Sequence, residues 1–149
     1  MATFELSLKP RLIYIFTIAD EAHSDCVKIG ETTFNGDGLP DPNSEELNKA
    51  AHNRIRQYTQ TAGITYQLLH TELTLYSNEG KFVLFNDKEV HSVLERSGVK
   101  KKAFKGATEW FCCDLETAKK AITAVKQGKT SLNAKDVTHS QNPIIFRPE

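Results

Sequence analysis

Tyr14 stands in the middle of the apolar run at residues 12–18, Leu-Ile-Tyr-Ile-Phe-Thr-Ile. A phenol ionises near pH ~10 and acts as a base at neutral pH only beside a cation. Lys28, in Val27-Lys28-Ile29-Gly30, supplies a cation on the next short apolar segment. Arg54 and Arg56 follow in Arg54-Ile55-Arg56-Gln57. A guanidinium stays charged and offers planar donors to oxyanions such as phosphate. Asp87 and His91 lie four residues apart and so share one face of a helix, while Glu89 projects from another face. Glu109 precedes Trp110-Phe111. Each of these residues also has an ordinary structural role: a strand tyrosine packs, a strand lysine or helical arginine meets solvent, a helical histidine sits on the surface. The weight lies in the set and its order.

The elements that must position these residues are legible. The β-branched and aromatic run at 12–18 predicts a strand, and residues 26–30 predict a second, joined through a polar turn as a hairpin. Asn35, Gly36, Gly38, Pro40 and Pro42 mark a surface loop. Ser44 is a helix cap with Glu45 and Glu46 in the first turn, and Leu47, Ala50, Ala51, Ile55 and Tyr58 recur at helical spacing up to Gly63. Residues 66–76 read as one strand, broken by Asn78-Glu79-Gly80. Asn86 and Glu89 form a capping box for a helix with Val90, Val93 and Leu94 inward, stopped at Gly98. A lysine loop leads to a strand at 109–113. Asp114 then caps a last helix bearing Leu115, Ala118, Ile122 and Val125, which ends at Gly128. These elements predict a small α+β domain over residues 1–128. Residues 129–149 are polar and aperiodic, as a linker would be.

Composition narrows the class. The 149 residues are 39% hydrophobic and 26% charged, which suits one globular domain with a core. No run has signal-peptide or membrane-spanning length, so a cytoplasmic protein is expected. Cys26, Cys112 and Cys113 are odd in number, two are adjacent, and no CxxC occurs. Neighbours on a strand face opposite ways, which argues against a shared zinc and for apolar filler. Net charge is zero, from 19 basic and 19 acidic residues, but it is unevenly spread. Residues 81–106 carry seven basic and three acidic side chains, and residues 31–48 carry five acidic and no Lys or Arg. A cationic patch for a polyanion and a solvated lysine loop both fit that pattern.

The order of motifs resembles the GIY-YIG nuclease superfamily: a strand with a central Tyr, a hairpin, a strand ending Ile-Gly, a helix with Arg, a helix with carboxylate and His, and a closing Glu-Trp-Phe. Within it, the sequence is similar to a branch with a Lys-Ile-Gly second motif, found in phage and restriction proteins. The resemblance covers roughly residues 12–111 and lacks the Gly that leads the family's first motif. It implies a central three-stranded, mainly antiparallel sheet flanked by helices, and a metal-dependent DNA endonuclease. Tyr14 would be the general base, Lys28 its cationic neighbour and Arg54 the phosphate contact, with Arg56 as fallback. Asp87 would be the single metal-binding carboxylate for Mg²⁺ or Mn²⁺, with Glu89 as its rival. His91 and Glu109 would complete the catalytic set, and DNA would be the partner. A DNA-binding module that has lost cutting is the alternative. The ending Phe146-Arg147-Pro148-Glu149 resembles the lead-in to a helicase core, so a fused helicase or ATPase region is expected beyond it.

Overall fold

A computed structural model describes residues 9–60, 63–103 and 110–137. Glu109 and residues 142–149, singled out above, lie outside them. The described elements are β1 (Arg11–Thr17), β2 (Lys28–Thr33), α1 (Glu45–Thr59), β3 (Gln67–Leu73), β4 (Leu75–Asn78), β5 (Lys81–Leu84), α2 (Asp87–Arg96), β6 (Lys101–Lys102), β7 (Trp110–Phe111) and α3 (Leu115–Lys126). A 3₁₀ turn at Ala134–Asp136 follows. The expected α+β architecture is present: an antiparallel sheet in the order β2-β1-β3, with three helices around it.

β1 is the central strand, and its side chains alternate between two cores. Leu12, Tyr14 and Phe16 join Leu47, Ala51 and Ile55 of α1. Ile13 and Ile15 join Val90, Val93 and Leu94 of α2 and Ala118, Ala121 and Ile122 of α3. The Glu-Trp-Phe residues that are described divide the same way. Trp110 packs on the α1 side and Phe111 on the α2–α3 side, both buried as expected.

Helix starts follow their caps. Ser44 accepts from the Leu47 amide, Asp114 from the Thr117 amide, and Asn86 and Glu89 form the complete reciprocal box. Just ahead of α1, Asn43 adopts a left-handed φ of 64° and acts as a surrogate strand residue. Its amide donates to the Thr71 carbonyl at 2.9 Å and its Oδ1 accepts from the Thr71 amide at 2.9 Å. The open edge of β3 is thereby paired, and the start of α1 is pinned to the sheet.

Two expectations about strands change. Residues 66–76 are not one strand. At Thr74 the chain turns away: the Thr74 amide donates to the Arg11 carbonyl at 2.8 Å, and the Thr74 carbonyl accepts from Phe85 at 3.0 Å. β4 then pairs with β5 as a hairpin. Its turn is the Asn78-Glu79-Gly80 segment that reads as a break, with positive φ at both Glu79 and Gly80. The lysine loop also contains a strand, β6, paired with β7 through Lys101↔Phe111 and Lys102↔Trp110. Residues 129–137, the start of the expected linker, lie against the domain. Leu132 and Val137 pack on the α2–α3 core, and the Leu132 amide donates to Ser97 Oγ at 2.8 Å.

A polar chain, buried at His70 and Glu72, runs from the exposed Asn43 to Lys126 of α3. Asn43 Nδ2 donates to His70 Nδ1 at 3.3 Å, His70 Nε2 donates to Glu72 Oε1 at 2.9 Å, and Lys126 Nζ of α3 pairs with Glu72 Oε2 at 2.6 Å. Burial alone would push the Glu72 carboxyl up. The His70 hydrogen bond and the Lys126 charge outweigh burial and hold it below its ordinary 4.5.

Two outcomes follow. Asn43→Ala should cost about 1–2 kcal/mol, because it loses the cap-like bond and keeps the left-handed backbone; Asn43→Gly should cost less, and urea midpoints compare them. Because the folded Glu72 carboxyl titrates below its unfolded value, its stabilisation is present above pH 4.5 and lost as pH falls through the folded value. Glu72→Gln should flatten that acid limb in thermal melts taken against pH.

Candidate functional site

β2 is the edge strand on which the candidate residues converge. Its register against β1 pairs Tyr14 with Gly30, Phe16 with Lys28 and Ile13 with Glu31. Cross-strand partners share a face, so Lys28 and Gly30 lie with Tyr14 on the α1 side and Glu31 lies on the other. The Tyr14 ring lies directly over Gly30. A Cβ on Gly30 would stand 2.6 Å from the Tyr14 hydroxyl and 2.7 Å from the ring carbon that bears it. Only glycine admits this approach. Tyr14 is 4% exposed, and Lys28 is half-buried.

The outer edge of β2 is satisfied from beyond the sheet. Val27 exchanges both backbone hydrogen bonds with Phe111, so the backbone groups of Val27, Ile29 and Glu31 point away from β1. The Ile29 carbonyl there accepts from His91 Nε2 at 2.9 Å, and the His91 ring packs on Phe111 with centroids 4.9 Å apart. One turn earlier on α2, the Asp87 amide donates to Glu31 Oε1 at 2.9 Å. Arg11 Nε holds the other Glu31 oxygen at 2.5 Å. Burial pushes the Asp87 carboxyl up from its ordinary value, and the Glu31 carboxylate pushes the same way against the opposing pull of His91.

Tyr14, Lys28, Arg54 and Asp87, which the motif order would set around one cleft, are therefore divided, with Arg54 on α1. Tyr14 and Lys28 face α1, whereas Asp87 and His91 belong to a helix packed on the opposite face and reach β2 at its outer edge. The two groups meet at neighbouring residues of one strand, Gly30 and Glu31. Alternation puts neighbours on opposite sides, and only an edge strand lets both sides be approached together.

Arg54 and Arg56 flank the buried stripe of α1 on opposite sides. His52 and Arg56 form the flank toward β3: His52 Nδ1 is hydrogen-bonded to the Tyr66 hydroxyl, and Arg56 bonds the same phenol. Burial, then the Arg56 charge, lowers His52, whereas burial raises Tyr66 against the Arg56 charge. Arg54 is exposed on the flank toward β2 and donates to Gln57 Oε1 at 2.9 Å. The Glu89 carboxylate is engaged in the capping box, accepting from the Asn86 amide at 3.0 Å. Among the described residues, no three His, Cys, Asp or Glu side chains come together as a metal-binding group.

The T5orf172 domain pattern matches residues 11–126, from the start of β1 to the end of α3. The chain belongs to the T5orf172 domain family. That domain is nuclease-like. No curated protein and no solved structure matches the chain. Among the described residues no helix is long and apolar enough to cross a membrane. The matched span takes in Tyr14, Gly30, Glu31, Asp87 and His91.

Sequence reasoning passed over Glu31 and Arg11. Gly30 reads as the end of the second strand, yet β2 continues to Thr33. The β-branched pair Thr32-Thr33 was the available signal, and extending the strand through it would have put Glu31 on the sheet. The His52–Tyr66 contact joins residues far apart in the chain and had no such signal.

Gly30→Ala should leave the fold intact, because its obstacle is the far end of one side chain. It should displace the Tyr14 ring and cost about 1–3 kcal/mol. Tyr14→Ala in the same chain should recover part of that cost. A double-mutant cycle of urea midpoints with no coupling between the two positions would contradict the described approach.

Proposed function

We propose that this T5orf172 domain is a GIY-YIG-type DNA endonuclease domain whose site wraps the edge strand β2. One observation carries the reading. The Tyr14 hydroxyl lies on Gly30, and the next residue, Glu31, is tied to Asp87. A phosphodiester laid across this edge would meet a phenol and a lysine from one side and a carboxyl from the other. Glycine keeps the strand thin at the crossing point.

In this reading Tyr14 accepts the proton of the attacking water, and Lys28, on the same face of β2, adds a positive charge to the site. Arg54, on the β2 flank of α1, contributes donors to the phosphate oxygens as charge builds on them. His91 orients rather than reacts, since its Nε2 is committed to the Ile29 carbonyl. Glu31 is likewise a positioning residue, with one oxygen on the Asp87 amide and the other on Arg11. Asp87 is the carboxylate that would hold a divalent cation, Mg²⁺ or Mn²⁺. It fits that role because it is half-buried beside a second carboxyl, where a cation relieves the repulsion, and because Mg²⁺ accepts one protein carboxylate with waters and a phosphate oxygen. Bound there, the cation would neutralise charge developing on the leaving oxygen.

A second reading has its own observation. Tyr14 is 4% exposed and faces the α1 side, away from α2, which suits a module that binds DNA without cutting it.

Metal-dependent cleavage of plasmid DNA separates the two. Asp87→Ala is expected to abolish Mg²⁺-dependent nicking while DNA affinity changes little. Glu89→Ala should keep nicking and lose only the cap, about 1 kcal/mol in thermal stability. Arg54→Ala should slow cleavage more than Arg56→Ala, which loosens Tyr66 instead. Wild-type protein that binds DNA yet never nicks it in Mg²⁺ or Mn²⁺ would establish the second reading.

A further inference from the structure

We propose that Cys26 and Cys112 are an oxidisable pair that closes to a disulfide between the lead-in to β2 and the end of β7. The proposal rests on strand register. Val27 and Phe111 are a hydrogen-bonded antiparallel pair, with Val27 N to Phe111 O and Phe111 N to Val27 O both at 2.9 Å. One residue beyond this bridge on each chain segment stand Cys26 and Cys112, which belong to the same core. Residues that face each other beside such a bridge have Cα atoms about 4.5–5.5 Å apart, within the range of about 4.4–6.8 Å that a disulfide spans. Cys112 packs, partly buried, against the core that holds Cys26, and all three cysteines are free.

The surroundings divide the labour between the sulfurs. Cys26 is 2% exposed, and burial, then the neighbouring Cys112, pushes its thiol up to about 12. It does not readily ionise and is poorly placed to meet an oxidant first. Cys112 is half-buried and so reachable. Lys102, opposite Trp110 in the β6–β7 ladder, falls on the face that Trp110 shares with Cys112, and its charge opposes, without overcoming, the upward push of burial on Cys26. Cys113 faces the other core, buried, with its thiol also pushed up to about 12, chiefly by burial. It is excluded from the pair by the alternation of the strand.

The oxidant is a hydroperoxide, hydrogen peroxide in the simplest case. The Cys112 thiolate attacks one peroxide oxygen; the O–O bond breaks, and with one proton taken up the products are Cys112 sulfenic acid and water. The Cys26 sulfur then attacks the Cys112 sulfur; the S–O bond breaks, and the Cys26 proton leaves with the hydroxide as a second water. Two thiols are oxidised by two electrons, and one peroxide is reduced to two waters. The bond would tie β7 to β2 two residues before Lys28.

The test is peroxide titration of the reduced full chain, followed by non-reducing peptide mass mapping. The expected result is one intramolecular link between the Cys26 and Cys112 peptides, a mass loss of about 2 Da, and reversal by dithiothreitol. Cys113→Ser should form the same link. Cys26→Ala, a small apolar replacement for a buried site, should lose the link and let Cys112 run on to sulfinic acid. A Cys112–Cys113 link, links only between chains, or sulfinic Cys112 in the wild type without any link would each overturn the proposal. None of these readouts depends on DNA cleavage.

Discussion

The five consecutive residues Leu12–Phe16 are almost wholly buried, and they send alternate side chains into two separate cores. A strand buried on both faces needs a helix layer on each, so α1 must cover one side and α2 with α3 the other. Fully burying a side chain of this size stabilises by roughly 1.5–3 kcal/mol before conformational entropy is counted, so β1 is the strongest single contributor to the sheet. Its neighbours inherit their orientation from it. Once β1 is placed, register decides that Gly30 lies under Tyr14 and that Glu31 points to α2.

That orientation also explains how the edge of β2 is managed. An uncovered edge offers unpaired backbone groups to any passing strand. Here β7 covers Val27, and His91 reaches in to satisfy Ile29. The amide of Asp87 sits on Glu31, which Arg11 holds from the start of β1. The features that place Asp87 are thus the ones that close the edge, together with the capping box that starts α2 one residue earlier. On the proposed reading, catalysis and edge protection share one set of contacts. Asp87 is rigidly presented because the backbone around it has structural work.

On the α2–α3 side of the sheet, the Asn43–His70–Glu72–Lys126 chain joins the start of α1, strand β3 and α3. Its two buried members, His70 and Glu72, are bonded to each other, and Lys126 pairs with the carboxylate. Removing one member would strand the others, which makes such a network more a device for fixing register than a source of net stability.

Much of the fold was legible in the sequence. Ser44, Asn86 and Asp114 cap the helices they were expected to cap, because capping is chemistry within four residues. The β-branched and aromatic run at residues 12–18 and the 3.6-residue period in the helices were equally local. Trp110 and Phe111 are buried as their types suggest. The break at Asn78-Glu79-Gly80 was visible, but the sequence did not say that β4 and β5 pair there, nor that Thr74 ends β3 on the backbone of Arg11. Both depend on partners distant in the chain. The candidate site shows the same division. Residue types and order nominated Tyr14, Lys28, Arg54 and Asp87. Alternation says that adjacent residues on a strand face apart, but not which helix covers which face. That choice is made by packing, and it alone separated Tyr14 from Asp87, brought Glu31 and Arg11 beside the carboxyl, and laid a phenol on the one residue with no side chain to resist it.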